Sequence, residues 1–205
     1  MTALAGNGRD LSLRSETVAP PPDERAALDA LDRGDLHGTI EVLMALYGRA
    51  VHRYSCRLVG DQHAAEDVLQ TTFLQAFVDL PRFARRSSLR VWLFGIAHHR
   101  CLDALKARRR LRWRFPGMDE NAPEPAAPAS RDDHAYGSRL GESLARCLES
   151  LKEAVRTAVL LRYAEEFSYG EMAEVCGEKA PTLQARVARA LPLLRRCLER
   201  QGVHV

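Results

Sequence analysis

The sequence predicts an all-α protein made of two small helical domains that a flexible linker joins. Apolar residues recur at intervals of three and four positions in both halves of the chain, and no alternating run bounded by turn residues indicates a strand. Between the halves lies a segment rich in proline, alanine and acidic residues, which cannot repay its ordering entropy. The predicted divisions are a disordered N-terminal arm at 1–22, domains at 23–115 and 137–205, and a linker at 116–136.

The composition is that of a globular protein. Its 205 residues are 46% hydrophobic and 28% charged, with a net charge of +3, and these values exclude wholesale disorder. The richest apolar run, 91–97, is much shorter than the roughly 18 residues that a membrane span needs. The N-terminus has no continuous apolar core and carries Asp10 and Glu16. We therefore expect no secretory signal, no integral membrane segment and a cytoplasmic location.

The sequence contains five cysteines, which are Cys56, Cys101, Cys147, Cys176 and Cys197. Their wide spacing and the lack of a Cys-x-x-Cys pair argue against a disulfide framework and a zinc knuckle. The pattern favours reduced thiols that are buried on helices. His98, His99 and Cys101 could supply neighbouring ligands, but nothing nearby completes a metal site. We therefore expect no metal and no cofactor.

In the first domain, capping and turn residues predict where four helices begin and end. Gly60 ends the second helix and Asp61 starts the third. Pro81 closes the third helix, and Ser87 or Ser88 caps the fourth after a short loop. The predicted helices span about 23–31, 35–58 and 61–80, and the fourth runs from Ser87 or Ser88 to about 112.

The second domain has the order of a helix-turn-helix unit. Ser168 followed by Glu171 forms a capping box that starts a helix, and Gly177 provides the turn after it. Pro181 and Thr182 begin a last helix, which is basic. The predicted helices span about 138–149, 151–165, 168–177 and 181–200. This arrangement is typical of DNA-binding proteins.

Positive charge is concentrated in two elements. Residues 81–115 contain eleven Lys or Arg and one Asp, and Phe83, Trp92 and Trp113 are interleaved with them. Residues 178–200 contain six Lys or Arg and two Glu. Because guanidinium groups bind phosphates and aromatic rings stack on unpaired bases, this pattern favours nucleic acid as a partner over a merely solvated surface. Two basic elements on one chain suggest two contacts with one duplex.

Several motifs closely resemble conserved regions of the extracytoplasmic-function (ECF) sigma factors. Region two is resembled by AAEDVLQTTFLQAF at 64–77, LPRF at 80–83 and SSLRVWLFGIA at 87–97. Region four is resembled by LLRY at 160–163, FSYGEMA at 167–173 and TLQARVARA at 182–190. The resemblance implies a region-two helical bundle, a region-four helix-turn-helix domain, and an initiation subunit that confers promoter specificity on bacterial RNA polymerase.

The resemblance also implies contacts with core RNA polymerase. It assigns Asp67, Gln70 and Phe73 to a helix that docks on the clamp helices of the β′ subunit. Asp67 and Gln70 lie one turn apart, where a carboxylate can pair with arginines, while Phe73 and Phe77 brace the helix from beneath. Region four implies a contact with the β flap of the polymerase. The family further implies an anti-sigma factor that keeps the protein inactive.

The resemblance assigns the −10 promoter contacts to the fourth helix and the loop before it. In the family this region opens the DNA and accommodates a flipped base. His99 stands where the family commonly has Asn, so we expect a different base preference. The assigned residues are Phe83, Arg86, Ser87, Ser88, Arg90, Trp92, His98, His99, Arg100, Lys106 and Arg109.

The last helix is expected to enter the major groove at the −35 element. The assigned residues are Thr182, Gln184, Ala185, Arg186 and Arg189. Gln184 and Ala185 replace a basic residue and a serine that are usual in the family. A glutamine can pair with adenine, whereas an alanine offers only methyl contacts. The sequence therefore predicts an unusual or weakly recognised −35 element.

Other functions account for parts of the sequence. A stand-alone helix-turn-helix regulator would explain residues 151–200, but not the face of Asp67 and Gln70 or the basic segment at 81–115. A degenerate sigma-like interaction protein would explain the alanines of the last helix. An enzyme is not expected, because the sequence has no phosphate-binding glycine loop, no Gly-x-Ser-x-Gly motif and no cluster with catalytic spacing.

Overall fold

The computed structural model describes residues 24–115 and 139–203, which form two groups of helices. No strand occurs within those ranges, which confirms the prediction of an all-α fold. The predicted arm at 1–22 and linker at 116–136 lie outside the described residues. The first group comprises α1 (Glu24–Asp32), α2 (Leu36–Val59), α3 (Gln62–Asp79), a 3-10 turn (Leu80–Arg82) and α4 (Leu89–Arg114). The second group comprises α5 (Arg139–Glu149), α6 (Glu153–Val159), a π-helical turn (Leu160–Ala164), α7 (Tyr169–Cys176) and α8 (Ala180–Arg200).

Side-chain caps determine where the helices of the first group begin. The Asp35 carboxylate accepts a hydrogen bond from the backbone N–H of Gly38 at 2.8 Å, and Asp61 caps α3 in the same way. Of the two serines before α4, Ser88 is the cap, since its hydroxyl accepts from the N–H of Val91 at 3.2 Å. Each cap satisfies an N–H group that has no partner inside its helix.

The core of the first group is built around α2, which packs against α1, α3 and α4. Burying a large apolar side chain stabilises a fold by roughly 1.5–3 kcal/mol, so this core fixes the positions of α3 and α4. The outer faces of these two helices are therefore presented on a rigid scaffold. Large buried side chains of this core include Leu43, Tyr54, Leu58, Phe73, Leu93 and Phe94.

The second group departs from the single helix predicted at 151–165. α6 ends at Val159, and the chain continues as a π-helical turn in which the N–H of Glu165 donates to the carbonyl of Leu160 at 3.1 Å. A π-helical turn contains one more residue than a regular turn, so the side chains after it face in different directions from those of a continuous helix. Apolar spacing alone does not reveal such a local insertion.

The helix-turn-helix unit forms as the sequence predicts. Ser168 and Glu171 form a reciprocal capping box at the start of α7, with hydrogen bonds of 2.8 and 3.2 Å. Gly177 ends α7 with a φ of 64°, a left-handed conformation that glycine adopts without steric cost. Pro181 lies in the first turn of α8, where its missing N–H is tolerated.

A disulfide between Cys147 and Cys197 joins α5 to α8. The prediction of reduced thiols is therefore wrong for this pair, whereas Cys56, Cys101 and Cys176 are free. The two bonded cysteines are 50 residues apart and belong to no recognisable motif. Their pairing depends on how α5 packs on α8, which brings the side chains together, and local sequence carries no signal for it.

The two groups of helices pack against each other. α4 lies against α7, and α2 contacts α6 and the π-helical turn. The guanidinium of Arg156 donates to the backbone carbonyl of Leu58 at 2.8 Å, so a partly buried hydrogen bond also crosses between the groups. Among the described helices, none is both long enough and apolar enough to cross a membrane.

Candidate nucleic-acid interface

The loop before α4 is shaped by two contacts. The rings of Phe83 and Trp92 pack at a tilt with their centroids 5.1 Å apart, and both side chains are half-buried. Arg85 adopts a φ of 53°, and its guanidinium pairs with the carboxylate of Asp32 at the end of α1. These contacts leave Arg86 exposed, with Ser87 and Ser88 half-buried beside it. The loop residues predicted for −10 recognition are thus placed together on one edge of the first group.

One face of α4 is covered by the second group. Arg90, Phe94 and His98 are spaced by four residues, so they lie along one side of the helix. The rings of Phe94 and Phe167 meet edge-on with centroids 5.1 Å apart. The guanidinium of Arg90 lies 4.3 Å from the Phe167 ring centroid and donates to the backbone carbonyl of Glu165. The cation–π contact and the hydrogen bond therefore engage Arg90 within the protein.

His98 is buried, with 5% of its surface exposed. Its Nδ1 lies 3.0 Å from the hydroxyl of Tyr54 in α2. Burial, together with the neighbouring His99, lowers the pKa of His98 to about 4, so the ring is neutral at pH 7. A neutral, buried imidazole offers neither charge nor contact to a phosphate in this conformation.

The opposite side of α4 is open to solvent. His99 is exposed, and its Nδ1 lies 2.7 Å from the carbonyl of Gly95. Since a carbonyl can only accept, Nδ1 carries the proton in this contact, and Nε2 of the neutral ring is left as an acceptor. Arg100 and Lys106 flank Asp103 at 3.6 and 3.7 Å, in exposed pairs that contribute little to stability.

The last turns of α4 project a basic and aromatic surface. Arg109 pairs with the carboxylate of Glu153 in α6, and Arg108 donates weakly to the carbonyl of Val59 at 3.4 Å. Trp113 is 87% exposed beside these arginines. An exposed indole among guanidinium groups can stack on bases while the arginines contact phosphates. This surface continues the basic segment that the sequence predicts at 81–115.

The predicted recognition helix, α8, presents its polar face to solvent. Leu183, Val187 and Ala190 are buried, whereas the face carrying Gln184 and Arg189 is exposed. Thr182 and Ala185 lie exposed on the same part of the helix. Arg189 donates to the carbonyl of its own helix at Ala185, 3.0 Å away, which leaves its side chain on the surface.

Arg186 differs from its neighbours on α8. Its guanidinium forms a bidentate pair with the carboxylate of Glu178, at 2.5 and 2.6 Å. The hydrogen bonds of this pair lower the pKa of Glu178 and raise that of Arg186, so both groups are charged at pH 7. The carboxylate of Glu178, in the turn before α8, therefore competes with any phosphate for the guanidinium of Arg186.

The outer face of α3 combines polar and apolar groups. Asp67 and Gln70 are exposed one turn apart, and Leu74 and Val78 follow on the same face with 68% and 64% of their surface exposed. Phe73 is only 4% exposed and packs into the core beneath this face. The helix thus presents a carboxylate, an amide and two apolar side chains on a buried aromatic support.

An open apolar groove of about 650 Å³ runs between α5, the π-helical turn and α8. Tyr163 and Leu191 are 55% and 43% exposed along it, and Arg57 and Arg195 lie at its rim. None of these residues was predicted from the sequence to form a site. The sequence feature that could have indicated this groove is the presence of large apolar residues on α8 outside its buried face. The groove's leucine walls are Leu144, Leu148, Leu160, Leu191, Leu194 and Leu198.

Comparisons with known proteins match both groups of helices. Residues 43–111 match the family described as Sigma-70 region 2, and residues 141–194 match Sigma-70, region 4. The ECF RNA polymerase sigma factor SigE of Mycolicibacterium smegmatis is 31% identical, over 88% of this chain and 70% of its own length. SigC of Mycobacterium tuberculosis is 33% identical, over 85% of this chain and 91% of its own. The chain belongs to the ECF RNA polymerase sigma factors.

Two solved structures share this fold. RpoE, crystallised with the anti-sigma factor NepR from Bartonella quintana, is 27% identical with a TM-score of 0.66, covering 76% of this chain and 94% of that chain. CnrH, solved in complex with the cytosolic domain of CnrY, has the same fold with a TM-score of 0.61 at 23% identity, covering 87% and 97%.

The two regions of this ECF sigma factor correspond to the two groups of helices. The region 2 match begins within α2 and extends into α4, and the region 4 match begins in α5 and extends into α8. A stand-alone helix-turn-helix regulator is therefore not favoured, because it leaves the first group of helices without a role.

Proposed function

We propose that this ECF sigma factor binds bacterial core RNA polymerase through α3 and the groove beside α8, and recognises promoter DNA through α4 and α8. Transcription initiation then requires no catalysis by this chain, since the polymerase performs the chemistry. The protein acts in the cytoplasm, where polymerase and DNA are found. The exposed residues of each surface keep the roles expected from the family resemblance, whereas Arg90 is engaged within the protein and His98 is buried.

The observation that carries the polymerase contact is the outer face of α3. Asp67 and Gln70 are exposed beside the apolar side chains of Leu74 and Val78. A carboxylate that pairs with arginines of the β′ clamp helices forms charge-assisted hydrogen bonds, which strengthen when neighbouring apolar groups exclude water. Phe73 contributes indirectly, because it supports the helix from the core.

The groove between α5 and α8 provides the second polymerase contact. Its apolar lining and its rim of Arg57 and Arg195 suit an amphipathic helix with acidic flanks. We assign this groove to the β flap. A sigma factor that contacts polymerase at two points gains affinity because the second contact is intramolecular.

The DNA contacts combine a charged surface with specific groups. Along α4, the exposed His99, Lys106 and Arg109 and the half-buried Arg100 would follow the −10 strand, and the Phe83 loop would accommodate the flipped base. On α8, Gln184 offers an amide to a base edge while Arg189 contacts phosphate. We expect the −35 element to be unusual or weakly recognised, since Ala185 offers a base only a methyl group.

An anti-sigma factor is the expected inhibitor. The RpoE structure that resembles this chain contains the anti-sigma factor NepR. An inhibitor that covered the α3 face or the α5–α8 groove would compete directly with polymerase. None of the helices in residues 24–115 and 139–203 covers either surface.

The test is the affinity of the full chain for purified core RNA polymerase. We expect the Asp67→Ala, Gln70→Ala double variant to bind about tenfold or more weakly, because it loses the charged pair and its neighbour. Asp29→Ala removes an equally exposed acid from α1 and should bind like the wild type. Wild-type affinity in the double variant would overturn the α3 assignment.

Selection of transcribed templates from a randomised promoter library would then define the −10 and −35 sequences.

A further inference from the structure

The disulfide between Cys147 and Cys197 lies next to the α5–α8 groove. Leu144 and Leu148 stand three residues before and one residue after Cys147. Leu194 and Leu198 have the same spacing about Cys197 and form the opposite wall. The bond therefore links the two helices at the level of the leucines that line the groove, and it sets the separation of the walls.

The position of α5 depends on α8. α5 has only 11 residues, and isolated helices shorter than about 12–15 residues are marginal in water. Its principal contact among the described elements is α8. Arg146 of α5 donates to the amide oxygen of Gln201 beyond the end of α8, at 3.2 Å, in an exposed hydrogen bond. Without the disulfide, α5 would be retained on α8 by apolar packing and by hydrogen bonds such as this one.

The surroundings of the two sulfurs suit thiol–disulfide exchange. Cys197 is partly exposed, whereas Cys147 is fully buried, so an attacking thiolate reaches the Cys197 sulfur first. The Nε2 of Gln201 lies 3.3 Å from the Cys147 sulfur and 3.7 Å from the Cys197 sulfur. An N–H donor beside the leaving sulfur stabilises the departing thiolate, so attack at Cys197 and release of Cys147 is the favoured course.

The three free cysteines are poor competitors for this chemistry. Cys56 and Cys101 are buried. Burial raises the pKa of Cys101 and of Cys176 to about 12, so their reactive thiolates are scarce at pH 7. Persistent structural disulfides are rare in a reducing cytoplasm, where those present are usually redox-sensing.

We infer that Cys147 and Cys197 form a reversible redox site that controls how tightly the α5–α8 groove binds an amphipathic helix of core RNA polymerase. This inference rests on the proposed function, because it regulates the groove assigned to the polymerase. In the oxidised protein, the bond fixes both leucine walls and preorganises the groove. In the reduced protein, α5 moves away from α8 and the groove loses one wall.

The redox step uses a low-molecular-weight disulfide of the glutathione class as its oxidant. The thiols of Cys147 and Cys197 lose two protons and two electrons in forming their S–S bond. The small disulfide accepts these electrons and protons, its own S–S bond breaks, and two small thiols are released. Excess small thiol reverses the reaction through a mixed disulfide at Cys197.

The experiment equilibrates the full chain in glutathione buffers that span the cytoplasmic range. Alkylation after denaturation, followed by mass measurement, should count three thiols in the oxidised chain and five in the reduced chain. We expect the affinity for core RNA polymerase to fall about tenfold on reduction. By linkage, saturating polymerase should make the disulfide harder to reduce by the same factor, an effect that a purely structural bond would not show.

Matched variants identify the pair. Cys197→Ser should bind polymerase with the affinity of reduced wild type in every buffer. Cys147→Ser also prevents the disulfide and should behave in the same way, so it replaces Cys197→Ser if that variant folds poorly. Cys176→Ser removes a free, partly buried thiol and should keep the full redox response. Circular dichroism establishes that each variant retains its helices.

The possible results separate the two claims. Equal affinity in the oxidised and reduced states, or tighter binding on reduction, overturns the redox site while leaving the proposed function intact. A bond that stays fully oxidised or fully reduced across the cytoplasmic range also overturns it. Absence of polymerase binding in both states overturns the proposed function itself.

Discussion

The two predicted DNA-binding helices of this sigma factor differ in what covers them. On α4, Arg90 and His98 face the second group of helices, where Phe167 and the carbonyl of Glu165 engage Arg90. On α8, the predicted contacts Gln184 and Arg189 face solvent. Both helices are basic, so composition does not distinguish them. Accessibility is determined by tertiary packing, because residues before α7 engage Arg90 and because His98 is buried.

The interface between α4 and α7 combines apolar and polar contacts. Phe94 and Phe167 are both fully buried and meet edge-on. Glu165 is 4% exposed, and its burial raises its pKa, although the nearby Arg90 acts in the opposite direction. Because a buried ring pair and buried polar groups lie at this interface, single substitutions there should weaken it.

The largest effect is expected from Phe167→Ala. Removal of this buried ring should lower the free energy of unfolding by about 3–5 kcal/mol and release Arg90 from its contact. Urea denaturation measures the loss, and small-angle scattering detects separation of the two groups. Phe115→Ala alters a ring that is 48% exposed and should stay within about 0.5 kcal/mol of wild type. A loss below about 1 kcal/mol for Phe167→Ala would show that the interface does not depend on this ring.

Acid should weaken the same interface through His98. Its folded pKa of about 4 lies below the ordinary value of 6.5, so the folded state prefers the neutral ring. The corresponding stability is present above pH 6.5 and is lost as the pH falls towards 4, to a total of about 3 kcal/mol. Tyr54, His99 and Glu178 are the titratable groups that act on this ring.

The comparison that isolates the His98 contribution is the pH dependence of unfolding for wild type and His98→Gln. We expect the difference between the two curves to change over the interval from pH 6.5 to 4. His63→Gln replaces a histidine side chain that is 95% exposed and should follow the wild-type curve. Parallel curves for wild type and His98→Gln would contradict the prediction.

On α8, the expected effect is smaller and has the opposite sign. Glu178→Gln removes the bidentate carboxylate and frees Arg186 for phosphate, so affinity for duplex DNA should rise roughly fivefold. The slope of log affinity against log salt concentration should become steeper by about one unit, which corresponds to one additional phosphate contact. Glu174→Gln makes the same charge change at an exposed position of α7 and serves as the control for net charge. If both variants gain the same affinity for duplex DNA, the ion pair with Glu178 does not prevent Arg186 from contacting phosphate.

The smallest effect is expected at the loop before α4. Asp32→Asn breaks the pair with Arg85, but the two side chains are 58% and 49% exposed. The loss in the free energy of unfolding should therefore be below about 1 kcal/mol, as thermal denaturation would measure. A loss above about 2 kcal/mol would mean that this pair shapes the loop far more than its exposure indicates.

Local sequence predicted the helices well, because the signals for helix ends lie within a few residues of each other. Asp35, Asp61 and the Ser168–Glu171 pair cap helices where the pattern placed them. The π-helical turn after Val159 was missed, since it leaves the apolar spacing nearly unchanged. The individual polymerase and promoter residues remain predictions.

The sequence by itself determined the all-α class, the helix-turn-helix unit, the two basic elements and the ECF sigma factor family. Only the tertiary structure decided that Cys147 bonds Cys197, that Glu178 captures Arg186, and that residues before α7 cover Arg90. The disulfide joins positions 50 residues apart, and the hydrogen bond from Arg90 spans 75. Such pairs arise when whole helices pack, so the residues around each partner carry no signal for the other.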